Sequence, residues 1–149
     1  MTTAFVALGS NLGDREGTLR AAVDALAAHP DVDVIAVSEL IDTAPVGYLD
    51  QPRFLNGVVA LSTELPPRAL LDLLLATERA FGREREGVPA QGPRTLDLDL
   101  LLYGGERRDT RLLTLPHPRL HLRRFVLTPL AELAANALHP TLGRTHAEL

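Results

Sequence analysis

Apolar positions along the chain repeat with strand spacing in some segments and helix spacing in others. Thr3–Gly9 is short, apolar and ended by glycine, and reads as a buried strand. Ser10–Asp14 reads as a turn, with Asp14 suited to cap a helix. Leu19, Ala22, Val23, Leu26 and Ala27 follow at i, i+3, i+4, i+7 and i+8, an amphipathic helix that stops before Pro30. Val32–Ile41 alternates as a strand, with Val32, Val34 and Ala36 expected on one face. Residues 42–53 hold Pro45, Gly47 and Pro52 and read as a long loop. Phe54–Leu65 is a second long strand. Pro66 and Pro67 open a helix, since proline is tolerated in a first turn. That helix runs through Leu70, Leu71, Leu74 and Leu75 to Phe81, with Gly82 at its C-terminal end. Residues 83–95 form a polar loop, Thr95–Tyr103 a strand, and Gly104-Gly105 a turn. Residues 112–115 are expected to add a short strand and residues 123–135 a helix.

The resulting order is β-α-β-β-α-β followed by C-terminal additions, the split βαβ or ferredoxin-like order. It predicts an α+β fold with an antiparallel sheet and both main helices on one face. The additions would cover the other face and make a three-layer αβα sandwich. A length of 149 residues fits one domain, 1–149. No apolar run reaches the roughly 18 residues of a membrane span. The first apolar run has no basic residue before it and stops at Gly9, unlike a signal peptide. The expectation is a soluble cytoplasmic domain.

Two absences narrow the chemistry. Without cysteine there is no thiolate nucleophile, iron–sulfur cluster or Cys-ligated zinc. Without lysine there is no Walker A loop, no Schiff base and no kinase strand lysine. Any nucleoside triphosphate must be gripped by arginine and metal. The net charge of -4 argues against broad nucleic-acid binding. The charge is uneven: residues 1–66 carry three arginines against nine acids, and residues 107–124 six arginines against one acid. The basic segment suits a small polyanion, or is a solvated arginine-rich face.

The sharpest local pattern is Gly92-Pro-Arg-Thr-Leu-Asp97-Leu-Asp99-Leu. Alternate strand residues share a side, so Asp97 and Asp99 stand together while Leu96, Leu98 and Leu100 enter the core. Two such carboxylates repel unless protonated or bridged by cations, and Mg²⁺ prefers oxygen ligands. The same alternation also marks any half-exposed strand. Arg83, Arg85 and Arg94 lie close by in sequence, and guanidinium groups clamp phosphate oxygens. Glu84 and Glu86 are interleaved, so a salt-bridged loop is the alternative. Glu78 could bind a substrate amino or hydroxyl group, or simply be solvated. His117 and His121 are four apart, but Pro116 and Pro118 oppose a helix that would pair them on zinc, and His117 better suits a phosphate contact.

Four segments taken together resemble the 6-hydroxymethyl-7,8-dihydropterin pyrophosphokinase family of folate biosynthesis. They are Ala7-Leu-Gly-Ser-Asn-Leu-Gly13, Asp50-Gln-Pro-Arg-Phe-Leu-Asn56, Gly92-Pro-Arg-Thr-Leu-Asp-Leu-Asp99, and Leu115-Pro-His117 with Arg123-Arg-Phe125-Val-Leu-Thr-Pro129-Leu. The resemblance implies transfer of pyrophosphate from MgATP to the pterin hydroxymethyl group, giving AMP, on a ferredoxin-like core. It implies that Asp97 and Asp99 hold two Mg²⁺ ions. Arg83, Arg85 and Arg94 would contact the triphosphate and share the catalysis, with His117 and Arg123 joining them on ATP. The pterin would stack between Phe54 and Phe125, its edges read by Asn56 and by backbone groups of Thr43 and Val46. Either phenylalanine could equally be core.

The expected partners are therefore these small molecules, with no nucleic acid or membrane, and a weak functional link to dihydropteroate synthase. Gln91 replaces an aromatic residue common before Gly-Pro-Arg, and Pro118 replaces a tyrosine; both bear on how tightly the loop seals the site. Two other classes fit parts of the pattern. A different two-metal phosphatase or nuclease would use the carboxylate pair but needs no flat aromatic pocket. A non-catalytic ferredoxin-like module would lack the carboxylate pair beside an arginine loop.

Overall fold

The computed structural model describes residues 1–11, 13–43, 52–82, 96–105, 108–109 and 114–115. Within them the order is β1 (Thr2–Ser10), α1 (Arg15–Ala27), β2 (Val32–Val37), β3 (Ile41–Thr43), β4 (Phe54–Thr63), α2 (Pro67–Ala80), β5 (Asp97–Tyr103), β6 (Arg108–Asp109) and β7 (Thr114–Leu115). The fold is α+β. Its main sheet runs β2-β4-β1-β5 with β3 also on β4, and every pairing is antiparallel.

Local chemistry sets the element ends. Asp14 caps α1 by accepting the N–H of Gly17 at 3.1 Å. Pro66 and Pro67 begin α2 as expected. Gly82 ends it at φ +81°, a left-handed conformation that a side chain would strain, and donates its N–H to Arg79. Leu19, Ala22 and Leu26 of α1 and Leu70 and Leu74 of α2 share one core with Ala4, Val6, Leu8, Val59, Leu61, Leu98 and Leu100. Both helices therefore cover the same face of the sheet.

The expected strand Val32–Ile41 is broken. Ile35 is an extra residue in the β2–β4 register, so Val34 opposes Leu61 while Ala36 opposes Ala60. A one-residue bulge reverses the alternation, so Ala36 does not share the face of Val34. Ser38 then leaves the strand pattern: its hydroxyl accepts the N–H of Val58 at 2.8 Å and donates to the carbonyl of Glu39 at 2.9 Å. The chain resumes as β3, so the loop expected from residue 42 is already strand through Thr43. Gly57 leaves the room into which Leu40 packs, since a Cβ there would lie 2.7 Å from Leu40 Cδ2. On β5 another register shift returns Tyr103 to the helix face, where its hydroxyl donates to the Leu65 carbonyl at 2.5 Å. The short strand expected over 112–115 is Thr114–Leu115, paired with Arg108–Asp109. The helix expected over 123–135 lies outside the described residues.

Candidate active site

The polar residues of interest gather on the face that the helices leave. The strand register puts Asn56 of β4, Gly9 of β1 and Asp97 of β5 in one row across three strands. Val58, Ala7 and Asp99 form the next row on that face. Asp97 and Asp99 are half-buried, while Leu96, Leu98 and Leu100 are buried among the helices, as the alternation predicts. The two carboxylates thus sit on one side of β5, spaced by two strand residues.

Gly9 makes the row possible. A Cβ on Gly9 would stand 2.8 Å from Asn56 Oδ1, 3.8 Å from Asp97 Cβ and 3.9 Å from Phe54 Cδ1. An amide, a carboxylate-bearing residue and an aromatic ring therefore converge over bare backbone, and only glycine lets the amide oxygen come so close. Asn56 is 8% exposed and its Nδ2 donates to Thr43 Oγ1 at 2.5 Å. Thr43 itself opposes Phe54 in the β3–β4 ladder. This bond fixes the amide orientation by pairing its donor end with a hydroxyl. Three of the five residues expected for the pterin, Thr43, Phe54 and Asn56, are thereby brought together.

Beside them a charged cluster ties β3 to β4 and to the start of α1. Asp42 accepts from Arg53 Nε at 2.7 Å and from Arg15 Nη2 at 3.3 Å. Arg15 also donates to the carbonyl of Arg53, and Asn11 Nδ2 donates to the carbonyl of Pro52. The hydrogen bond from Arg53, outweighing desolvation and aided by Arg15, holds the Asp42 carboxyl below its ordinary value.

Glu78 is neither solvated nor on the open face. It is 2% exposed, and its Oε2 accepts the N–H of Leu98 at 2.9 Å. Sequence reasoning missed this role and those of Gly9 and Asp42. Gly9 alone carried a usable signal, a glycine at the end of an apolar strand.

Val46, Arg83, Arg85, Arg94, His117, Arg123 and Phe125 lie outside the described residues. Among the described residues no three His, Asp or Glu side chains group to hold a metal, so Asp97 and Asp99 stand as a pair. A cavity of about 800 Å³ opens on the helix side, between α1 and β2–β3, and is lined by Leu19, Val23, Val37 and Leu40. It is separated from the carboxylates by the sheet.

A relative from Bacillus subtilis, 2-amino-4-hydroxy-6-hydroxymethyldihydropteridine pyrophosphokinase, is 51% identical over 87% of this chain and 77% of its own length. The protein of that name from Pseudomonas aeruginosa is 48% identical over 97% of this chain and 88% of its own. Plasmodium falciparum HPPK-DHPS, solved as wild type with SDX-DHP, shares the fold at a TM-score of 0.73 and 14% identity, over 99% of this chain. This chain spans only 42% of that longer one. Residues 5–135 match the family described as 7,8-dihydro-6-hydroxymethylpterin-pyrophosphokinase (HPPK). With two relatives near half identity along most of their length, the chain belongs to the 7,8-dihydro-6-hydroxymethylpterin-pyrophosphokinase family.

Proposed function

We propose that this chain transfers pyrophosphate from ATP to 6-hydroxymethyl-7,8-dihydropterin in folate biosynthesis, on the sheet face that holds Asn56, Gly9 and Asp97. The hydroxymethyl oxygen bonds to the β-phosphorus of ATP and the bond from that phosphorus to the α,β-bridging oxygen breaks. AMP leaves and the hydroxyl proton passes to solvent. The observation that carries the reading is the shared row: an amide fit to read a heterocycle edge stands across one intervening strand, β1, from Asp97 of a carboxylate pair fit to hold cations.

Asn56, oriented by Thr43, offers donor and acceptor to the pterin edge. Half-buried Phe54 offers a stacking face, with Phe125 on the other side and the backbone of Thr43 and Val46 completing the edge contacts. Asp97 and Asp99 are the residues that would hold two Mg²⁺ ions. The donor set fits, being all carboxylate oxygen on one side of a strand. When bound, the ions neutralise charge on the phosphate oxygens. Arg83, Arg85 and Arg94 grip the triphosphate and steady its departing part, with His117 and Arg123 on the same nucleotide.

The proposal extends to the fold. The strand order β2-β4-β1-β5 is the ferredoxin-like one if β2 and β3 count as one broken strand. The second sheet face is covered as in a three-layer sandwich within a single domain, 1–149, which the burial of Ala7, Val58, Ala60 and Leu102 supports. Among the described residues no helix is long and apolar enough to cross a membrane. A cytoplasmic location belongs to the same proposal. So does a functional link to dihydropteroate synthase, supported by the longer HPPK-DHPS chain of similar fold.

Incubation with ATP, Mg²⁺ and the reduced hydroxymethylpterin tests the reading. The pterin diphosphate and AMP in equal amounts are expected; a pterin monophosphate with ADP would contradict it.

A further inference from the structure

We propose that Glu78 is a positioning residue for the Asp97–Asp99 pair, acting through the backbone of the residue between them. This inference rests on the reading of that pair as the metal-holding group. Glu78 lies in the last turn of α2, where the helix dipole disfavours a negative charge. It is also almost wholly buried, where a carboxylate is costly unless hydrogen-bonded. Neither condition favours glutamate for stability, yet its Oε2 receives the N–H of Leu98 at 2.9 Å.

Leu98 opposes Leu8 of β1, and its side chain is in the shared core. Its N–H reaches α2 through the Glu78 carboxylate. Asp97 and Asp99 flank it and point to the opposite face, so fixing the peptide at Leu98 sets how both carboxylates stand. Glu78 is not a third ligand, because no such group of three exists among the described residues. Residues that orient metal ligands in this indirect way typically change metal affinity or activity 10–100-fold when lost.

Two variants separate the roles of acceptor and charge. Glu78→Gln keeps an oxygen that can accept the Leu98 N–H and removes the charge. Glu78→Met keeps much of the volume and removes the acceptor. Turnover is measured against Mg²⁺ concentration, together with KM for the pterin and thermal melting. Glu78→Gln is expected within about twofold of wild type in half-saturating Mg²⁺. Glu78→Met should need about tenfold more Mg²⁺ with lower kcat, while KM for the pterin stays within about twofold.

Equal Mg²⁺ dependence in wild type and a folded Glu78→Met would overturn the proposal, as would a large shift in Glu78→Gln. If Glu78→Met does not fold, Glu78→Gln is read alone: Mg²⁺ dependence within about twofold of wild type keeps the proposal, and a larger shift overturns it. Asp97→Asn, titrated alongside, separates the metal-holding role of the pair from the positioning role of Glu78. Wild-type Mg²⁺ dependence there overturns the pair assignment and the positioning role with it. Altered dependence there with none in Glu78→Met overturns the positioning role alone.

Discussion

Asn56 and Asp97 stand on either side of Gly9 in one row of the sheet, so the amide and the carboxylate-bearing residue are each one strand from the same bare backbone. A methyl group at Gly9 meets Asn56 Oδ1 at 2.8 Å. Gly9→Ala must displace that amide and loosen its bond to Thr43. Overpacking of this kind costs about 1–3 kcal/mol. Calorimetry on Gly9→Ala should show pterin affinity reduced about tenfold, with nucleotide affinity within about twofold of wild type. Equal weakening of both ligands would place the amide outside the pterin wall.

Phe54→Ala should weaken pterin binding more than ATP binding. Stacking of a flat heterocycle on an aromatic ring is worth about 1–3 kcal/mol, and Phe54 is only half-buried at the end of β4 beside Gly9. If titration finds pterin affinity intact and only the melting temperature lowered, Phe54 is core.

Much of this was legible in the chain, for physical reasons. α1 and α2 bury one face at helix spacing, β1 and β4 are apolar runs buried along most of their length, and Asp14, Pro66-Pro67 and Gly82 mark the helix ends through local backbone chemistry. Asp97 and Asp99 were legible because strand alternation alone puts them opposite buried leucines. The break in β2 was not, since it depends on an extra residue at Ile35 and on the Ser38 hydroxyl replacing a ladder contact to Val58. Gly9 and Glu78 matter through groups that only the folded sheet brings near them, Asn56 in one case and the Leu98 N–H in the other. No local pattern encodes such contacts. Arg83, Arg85, Arg94, His117, Arg123 and Phe125 stand on the sequence resemblance.

Asp42 links the ends of β3 and β4 through Arg53 and Arg15, and its carboxyl titrates below the ordinary range. A group whose folded pKa is depressed adds stability above its unfolded pKa and loses it as pH falls through the folded value. The contribution of Asp42 should therefore be present at neutral pH and fade below about pH 4. Unfolding followed from pH 7 to pH 3 should show a shallower acid loss in Asp42→Asn than in wild type. The difference should shrink at high salt, because all three side chains are partly exposed. Parallel pH profiles would show that the cluster contributes nothing to folding.

The proposed reaction requires the carboxylates of β5 to serve catalysis rather than the fold. Asp97 and Asp99 face away from the leucine core, so Asn at either position should leave melting nearly unchanged. Loss of one carboxylate should remove several kcal/mol of transition-state stabilisation, or about a thousandfold in rate. The most direct measurement is the rate of AMP formation by Asp97→Asn and Asp99→Asn at saturating ATP and pterin across a Mg²⁺ titration. A folded protein with turnover about a thousandfold lower and a displaced Mg²⁺ curve is expected for each variant. Near-normal turnover with an unchanged Mg²⁺ curve in either one would contradict it.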